Sequence, residues 1–153
     1  MIVTFVILAA TLISCKNGTE DNESRQPVNS IVGTWKLVSA TVIEKNDTVV
    51  TNYTKDKSFI KIINDTHFAF LQHDLNKGKD SGAVFSSGGG SYLLKDSMYT
   101  EHLEYCSDRN WEGNNFNFTI TLKNDTLIQS GVEKVESAGV DRVNIEQYTR
   151  VKK

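Results

Sequence analysis

Cysteine is scarce in this chain: only Cys15 and Cys106 occur among 153 residues, too few for a disulfide framework to replace a hydrophobic core. A basic excess is also missing. The 17 Lys and Arg are balanced by 19 Asp and Glu, spread along the chain for a net charge of −2, so no basic stripe exists to draw phosphate backbones, and nucleic acid is not an expected partner. No apolar run reaches the about 20 residues that a membrane-spanning helix needs, and no segment carries a convincing helical stripe. Motifs of catalysis are absent too: there is no nucleophile elbow or zinc-protease helix, and Ser86-Ser87-Gly88-Gly89-Gly90 lacks the Lys-Ser/Thr of a phosphate loop. No enzymatic activity, metal or other cofactor is expected. His67 and His73 would share a strand face, but roughly 20 Å would separate them at about 3.3 Å per residue, too far to hold one ion.

What is present begins with an uncharged, mostly aliphatic run from Ile2 to Ser14 that ends in Leu12-Ile13-Ser14-Cys15. It resembles a bacterial lipobox behind a signal-peptide apolar region. The resemblance implies that residues 1–14 are a signal peptide and that Cys15 becomes a lipidated N-terminus carrying palmitate-like acyl chains. Several chains at about 0.8 kcal/mol per buried CH₂ would hold the protein on a membrane without spanning it. The expected location is the cell envelope, most simply the outer membrane, on its periplasmic or external side. With Cys15 so used, Cys106 has no partner, and it reads as a small buried or strand-end residue. Residues 15–30 hold one aliphatic residue and the only proline, and read as a flexible tether. Residues 31–153 form one domain.

Within that domain the pattern is β. Asn115 to Lys123 places Phe116, Phe118, Ile120 and Leu122 on one face and Asn117, Thr119, Thr121 and Lys123 on the other. Similar runs are Thr34 to Glu44, Thr48 to Tyr53, Ser58 to Ile63, His67 to His73, Ala83 to Phe85, Ser91 to Lys95, Met98 to Tyr105, Thr126 to Val132 and Arg142 to Lys152. Asn46-Asp47-Thr48, Asn64-Asp65-Thr66, Lys95-Asp96-Ser97 and Asn124-Asp125-Thr126 separate them with residues that tolerate left-handed backbone, so short hairpins follow. Consecutive hairpins make an up-and-down antiparallel meander, and about eight to ten strands remove their free edges by closing into a β-barrel. The Ser86 to Gly90 stretch allows a sharp bend or a mobile loop.

Gly33-Thr34-Trp35, which opens the first strand, resembles the Gly-x-Trp signature of lipocalins. In that family the Trp closes one end of the barrel beneath a basic residue of the last strand, a position matched here by Arg150 in Glu146-Gln147-Tyr148-Thr149-Arg150-Val151. The resemblance therefore implies a cation–π contact between Trp35 and Arg150. A nearer resemblance is to the lipocalin-like lipoproteins of Bacteroidetes, carried by Gly33-Thr34-Trp35-Lys36-Leu37-Val38, Gly89-Gly90-Ser91-Tyr92, Tyr99-Thr100-Glu101-His102-Leu103-Glu104, Trp111-Glu112-Gly113 and the last strand. The family more often has Trp where Tyr148 stands.

Register then gives a candidate interior. With Asp96-Ser97 as the turn, Leu94 faces Tyr99, Tyr92 faces Glu101 and Gly90 faces Leu103, so one face carries Tyr92, Leu94, Tyr99, Leu103 and Tyr105 with Glu101 as its only charge. A carboxylate there must be paired, neutral or at an open end, since burying it alone costs several kcal/mol. Glu101 is either bonded to Tyr92 or wet at a barrel mouth, or it orients a ligand. The candidate ligand-binding residues are Tyr92, Tyr99, Glu101, Leu103, Phe116 and Phe118, with Leu94 and Ile120 on the same wall. Trp111 either covers a mouth of the barrel or anchors its loop. The leading expectation is a membrane-anchored binding protein that holds a small, largely apolar molecule in the envelope. The alternative is a packed, ligand-free adaptor or inhibitor that binds an envelope protein through its loops.

Overall fold

The structure is a computed structural model that describes residues 30–152. The signal peptide, the lipidation site Cys15 and nearly all of the tether expected from the sequence lie outside the described residues.

The strands are β1 (Gly33–Glu44), β2 (Asp47–Asn52), β3 (Lys57–Ile63), β4 (His67–Asp74), β5 (Phe85–Lys95), β6 (Met98–Cys106), β7 (Asn115–Lys123), β8 (Thr126–Val135) and β9 (Val140–Arg150). All pairings are antiparallel, and β1 also pairs with β9. The result is the expected all-β meander, closed by eight strands, with β2 outside the ring. β2 stands apart because one edge of β1 is shared: Gly33 to Lys36 pair with β3, whereas Ser39 to Glu44 pair with β2.

Turn chemistry sets the hairpins. Lys45 and Asn46 join β1 to β2 with φ of 50° and 68°, and Asp96 and Asn124 take φ of 55° and 54° in the β5–β6 and β7–β8 turns, as two-residue loops between right-twisted strands require. At the β3–β4 turn the Asn64 side chain accepts from the backbone N–H of Thr66 at 2.9 Å and of His67 at 2.7 Å. The β3–β4, β5–β6 and β7–β8 turns share one end of the barrel, the turn end, whereas the β1–β2 turn lies at the other.

The glycine run forms no loop. It is the middle of β5, and opposite Gly89 and Gly90 the facing strand β6 bulges, with Glu104 as the extra residue. A Cβ on Gly90 would lie 1.9 Å from the His102 carbonyl oxygen, so the β5–β6 backbones approach this closely only without a side chain. The bulge also corrects one expectation. Leu103 faces Gly90 as read from the sequence, but the register then slips so that Tyr105 faces Gly89. Tyr105 is thrown outward and Cys106 takes the inward place.

The core fills the turn end of the barrel. Trp35, Leu37, Tyr99, Leu127 and Tyr148 are almost wholly buried. Trp35 donates its indole N–H to the Ile31 carbonyl at 2.7 Å, and the Arg150 guanidinium sits 4.1 Å from the indole ring. The same guanidinium donates to the carbonyls of Val32 at 2.9 Å and Ser30 at 2.6 Å. The first strand, the last strand and the segment leading into the barrel are thus tied at one point, with Gly33 (φ 147°) passing beneath the guanidinium. Exposed aromatics and aliphatics such as Phe85 and Leu93 lie on the outer wall.

Candidate functional site

Above that core the barrel is hollow. A cavity of about 370 Å³ reaches the end opposite the β3–β4, β5–β6 and β7–β8 turns, where the loop between β6 and β7 lies. Its wall is built by alternation, since every second residue of a strand points inward. Phe59 and Lys61 come from β3, Glu101 and Leu103 from β6, Phe116 and Phe118 from β7, Gln129 and Glu133 from β8, and Arg142, Asn144, Glu146 and Tyr148 from β9. Trp111, in a short 3₁₀ turn (Arg109–Trp111), lines the cavity, lies 5.8 Å from Phe116 between ring centroids and carries the Arg142 guanidinium at 5.4 Å. It therefore anchors its loop, and it lines the cavity at the open end.

The floor is a buried ionic group. Lys61 is 3% exposed; its ammonium forms an ion pair with Glu101 and donates to Gln129 Oε1 at 2.8 Å. Three rings surround it, Phe68 at 5.3 Å, Tyr99 at 5.4 Å and Tyr148 at 5.8 Å. This answers what Glu101 does on an apolar face: it is buried and paired, and its counterion comes from β3. Burial and the neighbouring Glu101 raise the pKa of Tyr99, and burial and the Glu146 carboxylate raise that of Tyr148, so both phenols stay protonated.

Two further polar groups complete the wall. Gln129 donates to Glu146 Oε2 at 3.2 Å, and Tyr148 donates its hydroxyl to the same oxygen at 2.7 Å. Nearer the open end, Glu133 accepts from Arg142 Nε at 2.7 Å and from Asn144 Nδ2 at 2.9 Å. Cross-strand register sets both contacts, because Gln129 faces Glu146 and Glu133 faces Arg142 across the β8–β9 ladder. Burial pushes the Glu146 carboxyl above the usual carboxylate range, against the lowering effect of Lys61. The surface that Glu146 keeps is surface of the cavity. The Cys106 thiol is likewise pushed up by burial and stays protonated.

Of the six ligand-binding candidates read from the sequence, Glu101, Leu103, Phe116 and Phe118 line this cavity. Tyr92 and Tyr99 do not. Their rings pack 5.1 Å apart, Tyr99 in the core and Tyr92 donating its hydroxyl to the Asn64 carbonyl at the turn end. The strands tilt across the barrel, so residues early in β6 reach the floor and residues later in β6 reach the wall. Leu94 is partly exposed at the hairpin tip and Ile120 is core. Sequence reasoning missed Lys61, Gln129, Glu133, Arg142, Asn144 and Glu146. The signal lay in phase: Leu127 and Val135 fix the inner face of β8, and Tyr148 that of β9, and counting in twos from them reaches five of the six, all but Lys61.

Residues 30–153 match the family described as "Domain of unknown function (DUF4488)". The chain belongs to the DUF4488 family. The match spans the whole barrel, and the closed eight-stranded antiparallel architecture fits a lipocalin-like fold. No curated protein matches the chain. In this DUF4488 barrel the chemistry of the interior must therefore be read from its own side chains.

Proposed function

We propose that this DUF4488 protein is a lipid-anchored, lipocalin-like binding protein of the bacterial envelope that holds a small amphiphilic molecule and does not transform it. The observation that carries the reading is the cavity. At about 370 Å³ it falls within the range of small-molecule sites, roughly 300–1,000 Å³, whereas a loop-binding adaptor needs no such space. Aromatic wall residues offer contact to an apolar body, and a few fixed polar groups offer orientation. The polar floor argues for an amphiphile in place of the largely apolar ligand expected from the sequence. Membrane attachment through Cys15, in a Bacteroidetes envelope, rests on the lipobox and on the family resemblance.

Native mass spectrometry of the protein released from the membranes of its own host tests both parts. The expected species carries acyl chains on Cys15 and a non-covalent small molecule. A chain with Met1 retained and Cys15 unmodified would refute the anchor. A ligand-free barrel that co-purifies with an envelope protein would refute the binding reading in favour of the adaptor.

A further inference from the structure

The charges around the cavity do not balance. Lys61 is committed to Glu101 and Gln129, and Arg142 to Glu133, so both cations of the wall already have their carboxylates. Glu146 is left over. Its two protein hydrogen bonds come from neutral donors, Gln129 and Tyr148, and both go to Oε2. The other oxygen, Oε1, takes no hydrogen bond among the described residues and is not sealed from the cavity. Asp108 at the rim adds a further acid to the lining. The site thus offers a guest one open carboxylate oxygen and an excess of negative charge.

Next to that oxygen stands an aromatic wall. Phe59 lies 6.3 Å from Tyr148, whose hydroxyl holds Glu146; Phe70 stacks on Phe59 at 5.7 Å and Tyr53 meets it edge-on at 6.0 Å. Ring faces attract cations as well as apolar groups. Resting on the reading of the cavity as a ligand site, we infer that its ligand is an organic ammonium: the charged nitrogen donates to Glu146 Oε1, and an apolar body lies along Tyr53, Phe59 and Phe70. An anionic head, such as that of a fatty acid, is disfavoured because both cations are already neutralised and Glu146 would repel it. The raised pKa of Glu146 agrees, since burial leaves this carboxylate short of counter-charge in the protein alone.

The test uses three probes with one tail and different heads: octylamine, octanol and octanoate, titrated calorimetrically into the full chain at neutral pH. Octylamine should bind at least about tenfold more tightly than octanol, because both can donate to the Glu146 carboxylate but only the ammonium adds an opposite charge to it, and octanoate should bind most weakly. Glu146→Gln keeps an acceptor for Tyr148 and Gln129 while removing the charge; it should abolish the advantage of the amine and leave octanol binding in place. Equal or better binding of octanol or octanoate by the wild-type chain overturns the inference while leaving the cavity reading intact. So does an amine preference that survives in Glu146→Gln. Binding of none of the three also overturns it, and the native mass spectrum then decides independently whether the cavity holds a molecule.

Discussion

Lys61→Met isolates the energetics of the floor. The substitution keeps the length of the side chain and removes the ammonium, and with it the ion pair to Glu101, the 2.8 Å hydrogen bond to Gln129 and the attraction of three ring faces at 5.3–5.8 Å. Glu101, 7% exposed, is left as a buried carboxylate without its counterion. Removing one partner of a buried pair costs about 3–5 kcal/mol, mostly as the penalty on the charge left behind. Against a typical domain stability of about 5–15 kcal/mol this is a large share. Combining Lys61→Met with Glu101→Gln removes that orphaned charge and should recover at least about 1 kcal/mol, because two buried partners are coupled and not additive. Urea denaturation of the wild type, both single variants and the double variant closes the cycle. A Lys61→Met loss within about 0.5 kcal/mol would show that the ammonium is effectively solvated and that the floor is wet.

Trp35→Ala should cost about 3–5 kcal/mol, because the ring is fully buried and also supports Arg150; chemical denaturation measures it, and a loss below about 0.5 kcal/mol would place Trp35 on the surface. Gly90→Ala should cost about 3 kcal/mol or prevent folding, since its Cβ would strike the backbone of His102 and Glu104; a thermal midpoint equal to wild type refutes the close approach. Glu146 has its folded-state pKa raised by burial, so the stability it confers is present at low pH and is lost as pH rises through that raised value. Glu146→Gln should therefore be increasingly more stable than wild type as pH rises, and a constant difference from acid to neutral pH counts against the shift. Asp74 shows the opposite sign: the N–H groups of Gly78 at 2.8 Å and Val84 at 3.1 Å lower its pKa. Asp74→Asn should be less stable than wild type at neutral pH, with a deficit that closes as pH falls below the ordinary carboxylate range, as read from midpoints along a pH series.

The outline of the barrel is legible in the chain where one face of a strand is plainly apolar. β7 alternates without exception, and the β5–β6 register follows from Asp96-Ser97 and is found as Tyr92 to Glu101 and Leu94 to Tyr99. Alternation fails where both faces read alike. In β3, Ile60 and Ile62 look more like core than Lys61, yet Lys61 is inside and Ile62 is 41% exposed. In β9 the inward set is Arg142, Asn144, Glu146 and Tyr148, while the more apolar Val143 and Ile145 face out. A hydrophobicity rule inverts such strands, because it assumes a dry interior and this interior is polar by construction. The β6 bulge at Glu104, opposite Gly89 and Gly90, was equally hidden, since glycines that permit a bend also permit a close approach of two strands. Nothing local marks β2 as a flap outside the ring; only the sharing of the β1 edge by two partners does that.

Closure by β1 against β9 has a consequence for how the chain reaches its native state. The pairing joins Trp35 to Arg150, so the contact that seals the sheet spans almost the whole domain in sequence. Local hairpins from β3 to β8 can form early, but each remains part of an open ribbon with two bare edges until the final strand arrives. Such non-local pairing is slow, and an unsealed ribbon is prone to pair with a second chain. During synthesis the barrel therefore cannot complete itself until the 11 residues of β9 have emerged, which leaves time for a chaperone to engage the chain while it is still unfolded.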